Sequence, residues 1–244
     1  QARAMKKLAA DKNLVTQMGI QVHSFYDYTL ATLLIQSGII GKVHTVRAWS
    51  PKNWGYDGPA PEGSDQVPET LDWNLWLGTS AERPFKKGIY HPVNLRKLMD
   101  YGCGTLGDMG VHIFDTPYNA LALDVPMTIK NECRPPTGFG YPEKNIVTYK
   151  FPGTKYTAET LKWVWYDGPG APRDHEELKL PDAVDAVTSE TEKAWNNKQT
   201  VKDKTSLETE ITKEGKLPEQ GAMFIGDKGR LLLPHFMELP KKIV

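Results

Sequence analysis

The run Asp100-Tyr101-Gly102-Cys103-Gly104-Thr105-Leu106-Gly107-Asp108-Met109-Gly110-Val111-His112-Ile113-Phe114-Asp115 concentrates the residues that could do chemistry. Asp108 and His112 stand four apart, so a helix places both on one face, one turn from each other. A carboxylate beside an imidazole favours the protonated ring and can orient it. Such a pair can take a proton from a hydroxyl and return it. Asp115 falls one position off that face and is expected to do something else. The glycines at 102, 104 and 107 free the backbone just ahead of the helix. By spacing alone, such a run is by default an N-cap and an ordinary surface or core histidine. It permits a metal site too, but no clear third ligand is visible, so no metal is expected. Cys103 has no evident base beside it and is expected to be a small buried residue.

The elements that must carry these residues are legible around them. Residues 2–10 are strong helix formers, and Leu14–Met18 reads as a strand. His23–Gly38 has helical spacing at Tyr26, Leu30, Leu33 and Leu34, with Gly38 where a helix would be capped. Val43–Trp49 alternates as a strand. Residues 50–70 are rich in Pro and Gly and predict a long loop, a feature that is usually functional or disordered. Residues 71–77 predict a short helix, followed by another loop to about residue 100. A helix over 105–123 carries Pro117 inside it and should kink or split there. Strands are expected at 127–134, 145–151, 158–166, 222–225 and 229–233, mostly antiparallel because no helical pattern separates most of them. Trp163 and Trp165 share one face of such a strand, as sheet core or an oligomer contact. Residues 184–219 are polar and weakly patterned, a solvated excursion with one amphipathic turn near Trp195.

Composition narrows the function classes. The chain has 244 residues, with 30 Lys+Arg against 30 Asp+Glu and no formal net charge. That balance argues against a basic nucleic-acid footprint. The apolar fraction of 39% and the seven Trp argue against disorder. Apolar runs are too short to cross a membrane, so neither nucleic acid nor membrane is an expected partner. Two Cys cannot build a disulfide scaffold. The N-terminal helix running straight into a strand looks like the tail of an α/β unit, and the chain reads as a fragment.

The run Gly104–Asp115 resembles the helix that carries the active-site Asp and His in the Gfo/Idh/MocA oxidoreductases, nicotinamide-dependent dehydrogenases of sugars and cyclitols. Neighbouring stretches agree: Val15–Gln21 resembles the last strand of the family's dinucleotide domain, and Ser37–Val43 the step into its second domain. Pro68–Gly78, Glu82–Phe85, Trp165–Gly168 and Phe224–Gly229 resemble one large bacterial branch. The resemblance implies a catalytic role for Asp108 and His112, the latter as general acid/base, and NAD or NADP as cofactor. It implies that Arg96, Gln17, Gln21 and His23 meet the substrate, with Gln17 also near the cofactor. Arg96 as a surface residue and the other three as solvated loop residues are equally open readings. The branch usually shows a Trp-Arg pair where Leu95-Arg96 stands, so a stacking surface is missing. The family's Gly-rich phosphate loop and its Glu-Lys-Pro motif are absent from these residues. The run Gly102–Gly107 has the spacing of the dinucleotide fingerprint but follows a loop rather than a strand.

The fold expected is α+β: an open, mostly antiparallel sheet with helices on one face, plus a remnant α/β edge at the N-terminus. Residues 1–22 would be the remnant of a dinucleotide-binding domain and 23–244 the substrate-binding and oligomerisation domain. The bare sheet face would need cover, so a homo-oligomer is expected. The leading function is an NAD(P)-dependent oxidoreductase acting on a sugar, glycoside or cyclitol. The alternatives are a glycoside lyase or hydrolase working through transient oxidation, and a non-catalytic carbohydrate-binding or assembly module. The compartment is not legible in these residues.

Overall fold

The computed structural model describes residues 1–173, 175–180 and 217–243. The polar excursion expected over 184–219 falls largely outside them, with its turn near Trp195.

Seven strands form one sheet: β1 (Val43–Ser50), β2 (Thr128–Glu132), β3 (Asn145–Pro152), β4 (Thr157–Asp167), β5 (Gly221–Gly226), β6 (Gly229–Pro234) and β7 (Lys241–Ile243). Their order is β2-β3-β4-β1-β5-β6-β7. Every pair is antiparallel except β1 with β4, where Trp49 faces Tyr166 in a parallel register. A parallel pair needs a long crossover, and residues 51–156 supply it. The expectation of a mostly antiparallel α+β sheet holds, with this central exception. β1 lies mid-sheet and is buried at seven of its eight residues. Strand β7 carries no alternation in sequence and was not expected.

Helices cover one face. They are α2 (Tyr26–Gln36), α4 (Gly104–Ile113) and α5 (Asp115–Ala120); α1 (Ala2–Asp11) and α3 (Trp73–Leu77) lie apart. Tyr28, Ala31 and Ile35 of α2, with Met109 and Ile113 of α4, pack on Val46, Trp163, Trp165, Phe224 and Leu231. Trp163 and Trp165 are thus core of this helix-covered face, each removing well over 100 Å² from water, roughly, as buried indoles do. The helix expected over 105–123 splits as predicted. Pro117 lacks an N–H and its ring clashes with the carbonyl four residues back, at Ile113, where α4 ends.

The N-terminal edge departs from expectation. Helix α1 forms but buries none of its residues. Residues 14–18 are not a strand; Val15 and Met18 stand fully or largely exposed. A strand is held by its ladder, and no described strand lies beside these residues to supply one.

The far face of the sheet is also covered, which corrects the expectation of a bare face. Trp49, Val164, Tyr166, Met223 and Leu232 pack with Leu178, Leu180 and Leu217 of the same chain. Arg47, buried on this face, donates to both carboxylate oxygens of Glu177, at 3.1 and 3.3 Å. The Tyr166 hydroxyl meets His175 Nε2 at 2.7 Å. Arg230 holds the carbonyls of Glu177 and Lys179. Residues 175–179 are strapped down by these bonds.

Candidate active site

The start of α4 is fixed by two glycines. Gly104 adopts φ +61, and a Cβ there would press into the Tyr141 ring. At Gly102 a Cβ would lie 2.2 Å from the Arg96 carbonyl oxygen, so only glycine allows that approach. The close approach brings the 3-10 turn Asn94–Lys97 against α4, a turn that lies where only loop was expected. Its consequence is that Arg96 reaches Asp108: the guanidinium donates to the carboxylate at 2.7 Å. These two predicted residues are brought together.

Thr105 ties the long loop to the same helix. Its Oγ1 accepts from the Trp54 backbone N–H at 2.9 Å and donates to the Lys52 carbonyl at 3.2 Å. The Trp54 indole then lies beneath the Arg96 guanidinium, 5.2 Å from ring centre to Cζ. A cation over an indole face is attracted by the ring quadrupole. The loop after β1 thus places an indole against Arg96, where residue 95 supplies none. The sequence marks residues 50–70 as a long loop, of a kind usually functional or disordered, and gives no reason to single out Trp54. Beyond it, Trp73, Trp76, Phe85, Tyr90 and Tyr101 form a small aromatic core that orders the second loop.

His112 lies one turn on, yet among the described residues it makes no hydrogen bond to Asp108. Its neighbour is His235, from the segment after β6, with ring centres 5.7 Å apart and planes 22° from parallel. His112 Nδ1 is buried without a hydrogen-bond partner. Burial pushes the His235 imidazole down to about 4, with the charges of His112 and Lys52 adding to the effect. His235 Nδ1 meets the Tyr28 hydroxyl at 2.7 Å. Burial, and then the charges of Asp27 and Asp115, raise the Tyr28 phenol, so it stays protonated. Asp27 is pushed up by burial, and one of its oxygens has no partner. Phe25 stacks on Phe236 at 6.2 Å beside this group. Neither His235 nor Tyr28 carries a local sequence signal; they meet His112 only through the fold.

The close carboxylate–imidazole pair is a different one. His23 Nδ1 lies 2.9 Å from the Asp115 carboxylate. Both line a cavity of about 650 Å³ with Gln36, Val111, Tyr118 and Asn119. Asp115 thus has a partner that its offset from the Asp108 face foreshadowed. Gln17 and Gln21 are exposed and have no hydrogen bond with the groups around Asp108 or His112 among the described residues. Cys103 is exposed, which corrects the expectation of burial; its position at the N-cap of α4 keeps it outside the core. Partial desolvation and the Asp108 charge raise its thiol, which disfavours the thiolate.

Among the described residues no three His, Cys, Asp or Glu side chains converge as a metal would need. Nor do Gly102–Gly107 form a phosphate cradle. Positions 102, 104 and 107 are filled by Arg96, Tyr141 and Cys103 of the chain itself, leaving no room for a pyrophosphate.

Residues 30–138 match the family described as "Oxidoreductase family, C-terminal alpha/beta domain", of Gfo/Idh/MocA type. The matched stretch holds Trp54, Arg96, Asp108 and His112. No curated protein matches the chain. Among solved structures it is similar to an oxidoreductase from Sinorhizobium meliloti, at 14% identity and a TM-score of 0.47, over 100% of this chain and 46% of that one. It is similar to an NAD-binding protein from Listeria innocua at 12% identity and 0.43, over 94% and 41%. It is also similar to the super-repressor mutant of Gal80p from Saccharomyces cerevisiae at 14% and 0.47, over 96% and 45%. The chain spans less than half the length of each of these proteins.

Proposed function

We propose that this chain is the substrate-binding part of an oxidoreductase that acts, with NAD or NADP, on a sugar, glycoside or cyclitol. In this reading residues 1–22 belong to the dinucleotide-binding part and residues 23–244 form the substrate domain. The observation that carries it is the Trp54–Arg96–Asp108 array on α4, inside the segment that matches the family.

The array suits polyhydroxylated ligands. Arg96 offers donors and Asp108 acceptors side by side, the pattern that adjacent hydroxyls satisfy. The pair is half open, with the Arg96 side chain 46% exposed and that of Asp108 22% exposed, so a ligand can reach it. His112 exchanges a proton with the hydroxyl or carbonyl at the reacting carbon. A nicotinamide supplies the hydride chemistry when bound; no described residue forms its phosphate site, so no step here runs through it. A homo-oligomer is part of the proposal, but residues 171–180 already cover the far face, so self-association would use another surface or displace them.

The test uses the full chain with myo-inositol, D-glucose and methyl β-D-glucoside, each with and without NAD. Binding is read by saturation-transfer NMR and turnover by NADH absorbance. The reading expects ligand signals that fall at least tenfold in Asp108→Asn and in Arg96→Ala. Glycoside cleavage at constant NADH would replace net oxidation by a lyase or hydrolase outcome. Unchanged binding in Asp108→Asn and His112→Ala would leave a non-catalytic binding module.

A further inference from the structure

We propose that His235 is the positioning residue for His112: its ring, pinned by the Tyr28 hydroxyl, holds the His112 imidazole by its face in one orientation. The inference rests on the reading of His112 as the proton-exchanging group.

The geometry comes from three separate elements. His112 belongs to α4, Tyr28 to α2, and His235 follows β6. The two imidazoles stack nearly parallel at 5.7 Å. Two stacked imidazolium ions at that distance repel, so one protonated ring disfavours the other. Tyr28 stays protonated and its hydroxyl lies 2.7 Å from His235 Nδ1. An O–H donated there leaves the His235 proton on Nε2 and fixes the ring's orientation. The charged and titratable groups around the pair are Lys52 from the loop after β1, Asp27 beside Tyr28 on α2, and Asp115 on α5. Lys52 opposes protonation of His235.

The His112 side gives the second constraint. Its Nδ1 is buried with no partner. A buried N–H without an acceptor costs more than a buried lone pair, so the neutral ring carries its proton on Nε2. The stack against His235 prevents the ring flip that would expose Nδ1. His112 therefore presents one defined nitrogen, which is what a proton-exchanging group needs.

The test is a pH titration of ring carbon and nitrogen shifts by NMR on the full chain, which has six histidines. Wild type is expected to show His235 neutral down to about pH 4 and His112 in a single Nε2–H tautomer. In His112→Gln the His235 midpoint rises by about half a pH unit or more, the size expected for loss of one nearby charge. In Tyr28→Phe and His235→Ala, His112 becomes a mixture of tautomers. His235→Phe keeps a ring of similar bulk and guards against a variant that fails to fold; lacking the bond to Tyr28, it too gives a mixture of tautomers. A His235 midpoint that ignores His112→Gln, or a His112 tautomer unchanged in both Tyr28→Phe and His235→Ala, overturns the proposal. A coupled pair in a protein without turnover would uphold the stack and sink the oxidoreductase reading instead.

Discussion

Arg96 donates to Asp108 at 2.7 Å while His112, on the same helix, turns to His235. The carboxylate and imidazole that a helical turn sets side by side are thus each engaged elsewhere. Asp108 fixes a guanidinium over an indole, and His112 rests on a second imidazole. The two side chains therefore belong to two adjacent but separate pairs, to which the proposed function gives ligand recognition and proton exchange respectively.

That separation makes binding and stability respond differently at Asp108. The pair is part-exposed, so Asp108→Asn should cost no more than about 1 kcal/mol of stability. Sugar or cyclitol binding should fall at least tenfold. Urea denaturation and saturation-transfer NMR on the same variant check both halves.

The close approach at Gly102 should be intolerant of a methyl group. A Cβ there meets the Arg96 backbone, which cannot rotate away, so Gly102→Ala should lose about 2–3 kcal/mol. Gly138→Ala is the control: it has φ +77 but open space around it, so only the backbone penalty of about 1 kcal/mol applies. Equal losses in the two variants would mean that the packing of the 94–97 turn on α4 is unimportant.

The pH dependence of stability should carry the mark of His235. Its imidazole, held down to about 4, binds no proton in the folded chain at pH 5, whereas in the unfolded chain it does. The favourable contribution is complete above the unfolded value near 6.5 and is lost as pH falls from there towards 4. With allowance for solvent screening of a ring that is only partly buried, it amounts to about 1–2 kcal/mol. His235→Phe should therefore lose less stability than wild type between pH 7 and 5 when urea midpoints are compared. Parallel curves would refute the assignment.

On the far face, Glu177→Gln leaves the Arg47 guanidinium buried without its counter-charge. The cost should be about 2–3 kcal/mol, toward the low end for a buried pair because the Glu177 side chain is 39% exposed. Arg47→Met combined with Glu177→Gln should recover most of it. Light scattering after size exclusion is expected to show a larger assembly in the single variant than in wild type, since residues 175–180 would no longer be held over Trp49, Val164 and Met223. An unchanged assembly of undiminished stability would show the strap to be incidental.

Much of the architecture was written locally. Alternating residue types in Val43–Trp49 and the β-branched and aromatic run over 158–166 sufficed for β1 and β4, although mid-sheet burial on both faces erases the alternation in their exposure. Pro117 marked the break between α4 and α5 for an equally local reason. Leu14–Met18 misled because a strand's stability belongs to its neighbours: the right residue types without a ladder stay irregular.

By itself, then, the sequence determined most of the elements, the mostly antiparallel sheet, and the helix that bears Asp108 and His112. Tertiary structure alone decided their partners. Arg96 is twelve residues from Asp108, Trp54 lies in a loop fifty-one residues from Thr105, and His235 follows the sixth strand. Helical periodicity fixes which residues share a face. What that face meets depends on how distant segments close over it, and no local pattern encodes that.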